Sequence, residues 1–137
     1  MAKLRHIAVA TKDPKTTAAF YKKHFEMEEV GTIENELGEG VYLSDGVVNL
    51  AVIKILAPWT DLPTEDVNFT GIHHFGFIVE DLEDSSSGLE RDGSREVADF
   101  YRGRGEETVF YERKFLAPDN VVIDISERGW VGAKGDV

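Results

Sequence analysis

Two eleven-residue stretches of this 137-residue chain can be superposed at a shift of 68 positions, half the chain. Lys3-Leu4-Arg5-His6-Ile7-Ala8-Val9-Ala10-Thr11-Lys12-Asp13 lies over Gly71-Ile72-His73-His74-Phe75-Gly76-Phe77-Ile78-Val79-Glu80-Asp81, with His6 on His74, Ala8 on Gly76 and Asp13 on Asp81. Each stretch alternates as a strand does and closes on an Asp suited to cap a helix. A second echo follows, in which Asp45-Gly46 and Asp119-Asn120 each introduce a β-rich run, Val47–Val52 and Val121–Ile125. An internal repeat limits the chain to architectures built from two like units.

Read along the chain, module one covers residues 1–56, a linker 57–70, module two 71–128 and a loose tail 129–137. Asp13-Pro14 starts a helix, with an N-cap followed by Pro at the first helical position. That helix is expected to run to about Met27, with Ala18, Phe20, Tyr21, Phe25 and Met27 as its apolar stripe. Strands are expected over Val30–Glu34, Val41–Leu43 and Val47–Ile55, which makes the module βαβββ. Module two repeats the plan, with a helix over Leu82–Arg91 and strands over Arg95–Tyr101, Thr108–Leu116 and Val121–Ser126. Ser85-Ser86-Ser87-Gly88 predicts that its helix is short or frayed. The fold class is α+β, two βαβββ modules whose sheets curl around a cleft.

Alternation then sorts the strand side chains into faces. His6, Ala8 and Ala10 oppose Ile7 and Val9; His74 and Gly76 oppose Phe75, Phe77 and Val79. Asn49 and Ala51 oppose Val48, Leu50 and Val52; Val122, Asp124 and Ser126 oppose Val121, Ile123 and Ile125. One face is bulky and apolar, as packing under a helix requires. The other places a polar group beside small residues, as a cavity wall requires. A pseudo-twofold would bring His6 and His74 together with Asp124 and Asn49. Two imidazoles and a carboxylate suit Fe or Mn with open positions, and also Zn, Ni or Co. Asn49 would add an amide oxygen or only hydrogen-bond. The alternative is a polar-lined pocket without a metal. His73 is expected on the opposite face or at an edge, and His24 as packing or surface. Glu106-Glu107 and Glu112-Arg113-Lys114 read as solvated strand edges. Tyr42 and Tyr111 are candidate cavity donors, and Trp59 and Trp130 are expected to cover a module joint or a dimer contact.

Composition excludes several classes. With 15 Lys plus Arg against 26 Asp plus Glu, the net charge is −11, which argues against nucleic acid and anionic membrane as partners. The absence of cysteine removes disulfides, thiolate metal sites and a Cys nucleophile. No apolar run approaches the about 20 residues of a spanning helix, and no signal peptide is read at the start. A cytoplasmic location is expected. Neither a phosphate-cradling glycine loop nor a Gly-x-Ser-x-Gly elbow is present.

Four segments carry a family resemblance: Leu4–Val9, Phe20-Tyr21-Lys22-Lys23-His24-Phe25, Ile72–Asp81 and Pro118-Asp119-Asn120-Val121-Val122-Ile123-Asp124-Ile125. In their order and repeat they resemble the vicinal oxygen chelate (VOC) superfamily of glyoxalases, bleomycin-resistance proteins and extradiol dioxygenases. The resemblance implies paired βαβββ modules around a metal cleft, with ligands from the first and last strands of each module. His6, Asn49, His74 and Asp124 fall on those positions. Asp124 stands where the family more often has Glu. Asn49, or Ala51, stands where Glu, Gln or His is usual.

The expectation is a divalent-metal enzyme acting on a small oxygenated metabolite through two neighbouring oxygens, as a lyase, isomerase or ring-cleaving dioxygenase. The alternative is a metal-free small-molecule binding or resistance protein using the same cleft. A catalytically dead dimerisation module is a lesser possibility. By analogy the chain is expected to form a homodimer, its modules paired within one chain or swapped between two.

Overall fold

Asp13 and Asp81 cap the two helices as their positions suggest: Asp13 Oδ1 accepts from the Thr16 amide at 3.2 Å, and Asp81 Oδ1 from the Asp84 amide at 2.8 Å. The computed structural model describes residues 1–59, 61–63, 66–98 and 112–133. Its first half runs β1 (Lys3–Ala10), α1 (Pro14–Phe25), β2 (Glu28–Glu34), β3 (Gly38–Ser44) and β4 (Asn49–Ile55). Its second half runs β5 (Gly71–Ile78), α2 (Leu82–Arg91), β6 (Glu96–Val97), β7 (Arg113–Leu116) and β8 (Val122–Ser126). The strands expected over 95–101 and 108–116 are described only over β6 and β7, and residues 99–111, with Tyr111 and Glu106-Glu107, lie outside the described residues. The class is α+β, as expected.

All eight strands form one curled mixed sheet in the order β2-β3-β4-β1-β5-β8-β7-β6. Each half contributes a parallel pair, β1 with β4 and β5 with β8. The halves join through the antiparallel β1–β5 seam, within one chain. That seam has two register shifts. Leu4 faces Phe77 and His6 faces Gly76, so Arg5 is an extra residue on β1. Ala8 faces His74 and Val9 faces Ile72, so His73 is an extra residue on β5. The two bulges are related by the same 68-residue shift as the repeat, and each immediately precedes a histidine.

The helix-side face packs in two clusters. Ala18 of α1 sits with Leu43, Leu50 and Val52, and Leu82 of α2 with Phe115, Ile123 and Ile125. The opposite face holds Ala8, Ala10, Ala51, Ile53, Trp59 and Val122. Trp59 and Leu62 are buried there, with Val67 and Phe69 packed against the same cluster, so these residues of the expected linker cover the concave face rather than merely connect halves.

Four expectations are corrected. α1 stops at Phe25 because Glu26 turns into the left-handed region at φ 55°. Phe20 and Phe25 are 51% and 63% exposed, because the helix seats its small Ala18 row on the sheet and leaves the next row outside. α2 is neither short nor frayed. It spans ten residues behind the Asp81 cap, and the buried Ser86 hydroxyl is satisfied by donating to the Leu82 carbonyl at 2.7 Å. The expected loose tail is packed over residues 129–133. Gly132 takes a positive φ of 76° and lies against Ser44, whose hydroxyl donates to the Gly132 carbonyl at 2.9 Å. Residues 134–137 lie outside the described residues. Among the described residues no helix is long and apolar enough to cross a membrane.

Gly76 marks where this tail closes on the seam. A Cβ there would fall 2.7 Å from the Trp130 ring and 3.0 Å from Asp124 Cβ. Gly76→Ala is therefore expected to destabilise the fold by about 1–3 kcal/mol, read as a lower midpoint in thermal melts; an unchanged midpoint contradicts this packing.

Candidate metal centre

The β1–β5 pairing puts His6 and His74 at one place in the sheet, and β8 beside β5 brings Asp124 opposite Gly76. All three are buried, and each offers one ligand atom within 4.8 Å of the others. His6 Nε2 lies 3.3 Å from His74 Nε2 and 3.6 Å from Asp124 Oδ2. His74 Nε2 lies 3.2 Å from the same carboxylate oxygen.

Proton bookkeeping at these atoms leaves a surplus of lone pairs. Asn49 Nδ2 donates to the Val131 carbonyl at 2.8 Å, which turns its Oδ1 toward His6 Nδ1 at 2.7 Å. The His6 proton therefore sits on Nδ1, and Nε2 is bare. Burial lowers the pKa of His6 against the pull of Asp124, and burial holds His74 well below the usual range, so both rings are neutral. At most one N–H, on His74 Nε2, remains for two acceptors, His6 Nε2 and Asp124 Oδ2. Among the described residues Asp124 Oδ2 has no hydrogen-bond partner. A buried carboxylate oxygen left without a donor is costly. Two imidazole nitrogens and one such oxygen match the donor set of a divalent cation.

Asn49 is fully buried, but its oxygen is spent on the far nitrogen of His6. That is the hydrogen-bonding role the sequence left open beside direct ligation. The register also identifies the counterpart of Asp124: Asp124 pairs with Gly76 on β5 as Ala51 pairs with Ala8 on β1. The position related to Asp124 by the repeat thus holds a methyl group.

Sequence reading missed three residues. The bulge on β5 turns His73 toward its neighbour, against simple alternation, and the two Nδ1 atoms are 2.7 Å apart. When His74 Nδ1 donates in this contact, its Nε2 is bare for a cation. Glu112 and Lys114, expected on a solvated edge, face the cleft. Lys114 is 3% exposed; its Nζ donates to Asp124 Oδ1 at 2.7 Å and to Glu112 Oε1 at 3.1 Å. Opposite charges two residues apart within the strand expected over 108–116 were the available signal. Burial alone would lower the Lys114 pKa, but Asp124 and Glu112 outweigh it and hold it raised.

Trp130 covers the centre. Its ring stacks on His6 at 4.6 Å and 9°, and its Nε1 donates to Glu112 Oε2. The cleft beneath has a volume of about 460 Å³ and is walled by Ile33, Leu37, Ile53 and Trp59, with Tyr42, Glu112 and Lys114 as polar groups near the histidines. Burial raises the Tyr42 phenol, which therefore stays protonated at neutral pH. His24 is exposed beside Phe20, outside the site.

Residues 3–125 match the family model described as Glyoxalase/Bleomycin resistance protein/Dioxygenase superfamily. No curated protein sequence matches the chain. Among solved structures, the hypothetical protein BH1468 from Bacillus halodurans C-125 is similar with a TM-score of 0.69 at 17% identity, covering 99% of this chain and 96% of its own. A methylmalonyl-CoA epimerase in complex with methylmalonyl-CoA and NH4+ has a TM-score of 0.68 at 18% identity, covering 98% and 99%. A single-substitution variant of the Streptomyces coelicolor methylmalonyl-CoA epimerase, in complex with 2-nitronate-propionyl-CoA, has a TM-score of 0.67 at 20% identity, covering 90% and 95%.

The histidines also set a pH dependence. Burial lowers His73 to about 4, whereas an unfolded histidine titrates near 6.5. Between those values the unfolded chain binds more protons, so stability present above pH 6.5 is lost as pH falls. Chelator-treated protein is expected to melt at progressively lower temperature from pH 6.5 toward 4. His73→Gln, which cannot titrate, makes that decline shallower; an identical decline in both proteins contradicts the assignment.

Proposed function

The chain belongs to the glyoxalase/bleomycin resistance protein/dioxygenase superfamily, and from that premise we propose that it is a divalent-metal-dependent enzyme of the lyase or isomerase type acting on a small oxygenated substrate. The observation that carries this reading is the unpartnered Asp124 Oδ2 facing two neutral imidazole nitrogens in a buried pocket. His6, His74 and Asp124 would hold the cation. When bound, such a cation supplies Lewis acidity to two neighbouring substrate oxygens. The similarity of the fold to epimerases supports proton transfer at carbon over ring cleavage.

The remaining roles fall to residues on the cleft wall. Two glutamates line the cavity, the exposed Glu36 and Glu112, and the oxygens of Glu112 are oriented by Lys114 and Trp130. Glu112 is placed to take a proton from a carbon next to the chelated oxygens. Tyr42 remains protonated and serves as a hydrogen-bond donor. The apolar walls and the Trp130 ring exclude water from the centre.

A second reading, metal-free ligand binding, is favoured by one observation. The ammonium of Lys114 already neutralises Asp124, as a resident counter-ion would. The two readings separate on metal content. Protein prepared without chelator is expected to hold one divalent ion per chain by elemental analysis, and His74→Ala to weaken Co2+ affinity at least 100-fold. A chain that takes up none of Fe, Mn, Co, Ni or Zn sinks the enzyme reading in favour of the binding one.

A second experiment addresses the proton transfer. Exchange of substrate-type C–H protons in D2O, followed by NMR on a panel of 2-oxo and 2-hydroxy acids, is expected to depend on the ion. Glu112→Gln should slow it about 10²–10⁴-fold. Exchange at the wild-type rate in that variant removes Glu112 from the role.

A further inference from the structure

We propose that Lys114 is the anion-recognition group of the cleft and selects monoanionic substrates, carboxylates carrying an oxo or hydroxy group on the adjacent carbon and an apolar body. The proposal deepens the metal-enzyme reading and rests on it for the chelating contact and for the charge balance.

Lys114 on β7 stands opposite Asp124 on β8, so its side chain enters the cleft beside the ligand cluster. Two of its three N–H groups go to Asp124 and Glu112. The third has no acceptor among the described residues, and the ammonium lies 5.5 Å over the Trp59 ring, which also lines the cavity. Taking a cation out of water costs several kcal/mol unless it is well paired. A neutral donor would satisfy Asp124 Oδ1 without opposing a second cation in the same pocket. A buried ammonium with a free N–H at a cavity wall points instead to a negatively charged ligand.

The charge balance gives the valence of that ligand. Asp124 and Glu112 carry two negative charges and Lys114 one positive, so a bound dication leaves a single positive charge, which one anionic group neutralises. The other walls are Ile33, Leu37 and Ile53, and the exposed Glu36 is also on the lining. They accept an apolar body and disfavour further negative charge. One carboxylate oxygen and the neighbouring oxygen would face the ion, and the second carboxylate oxygen the Lys114 ammonium.

The test titrates the Co2+-loaded full chain with two probes of one shape. Phenylglyoxylate is a monoanion with two neighbouring oxygens and an aromatic body, and phenylglyoxamide is its neutral counterpart. Wild type is expected to bind the anion at least about tenfold more tightly, or 1.4 kcal/mol. Lys114→Met, compared at Co2+ saturation of each protein, should reduce that preference below twofold, and Lys114→Arg should retain it. Equal affinity of wild type for both probes, including no binding of either, overturns the proposal. So does an undiminished preference in Lys114→Met. The wild-type comparison decides without a variant, and Lys114→Gln replaces Lys114→Met if the latter does not fold. Co2+ uptake is measured first, by equilibrium dialysis. If there is none, the metal reading fails and this proposal with it, because the pocket then carries a net negative charge; Co2+ uptake without a preference for the anion overturns the anion site alone.

Discussion

The antiparallel seam between β1 and β5 is the contact on which the rest of the molecule depends. Each half by itself is an open sheet with an unpaired edge strand, a liability in water. Pairing those edges makes one continuous eight-stranded sheet, and it brings two residues 68 positions apart into contact. The seam is irregular where the function is concentrated. Bulges at Arg5 and His73 flank His6 and His74, and such features re-aim side chains at sites. The small residues Ala8, Ala51 and Gly76 keep the surrounding face open, and Gly76 admits the Trp130 ring that closes it.

Within that frame the electrostatics are ordered from the periphery inward. The Val131 carbonyl orients Asn49, Asn49 sets the His6 proton on Nδ1, and His6 turns a bare nitrogen toward Asp124. Glu112 and Lys114 form a second layer on the opposite side, tied to the same carboxylate through Oδ1. Oδ2 is left for the centre. Asp124 thus connects two functions, a lone-pair cluster on one oxygen and an ammonium on the other. A structure built only for stability has little reason to bury both an unmatched acceptor and a lysine.

The repeat made His6 and His74 legible in the sequence, and strand alternation made Asp124 and Asn49 legible, because both follow from local periodicity. The α+β class and the helix caps were legible for the same reason. What escaped depends on non-local or exceptional geometry. His73 reads as pointing away from His74 until the bulge is known. Glu112-Arg113-Lys114 reads as a solvated run because charge usually means surface; only the pairing of β7 with β8 shows Lys114 facing Asp124. The stretch from Gly129 to Gly132 reads as loose because glycine usually loosens a chain. Here positive φ at Gly129 and Gly132 lets the backbone turn tightly against Ile78 and Ser44, with Trp130 carried inward between them.

On the reading proposed above, His6 Nε2, His74 Nε2 and Asp124 Oδ2 together hold one divalent ion. Anomalous X-ray scattering at the metal edge, from crystals grown with Co2+ or Zn2+, tests it most directly. A single strong peak is expected about 2.0–2.2 Å from all three atoms, with Asn49 still hydrogen-bonded to His6 Nδ1. A peak elsewhere on the chain, or none at this cluster with the ion in excess, contradicts it.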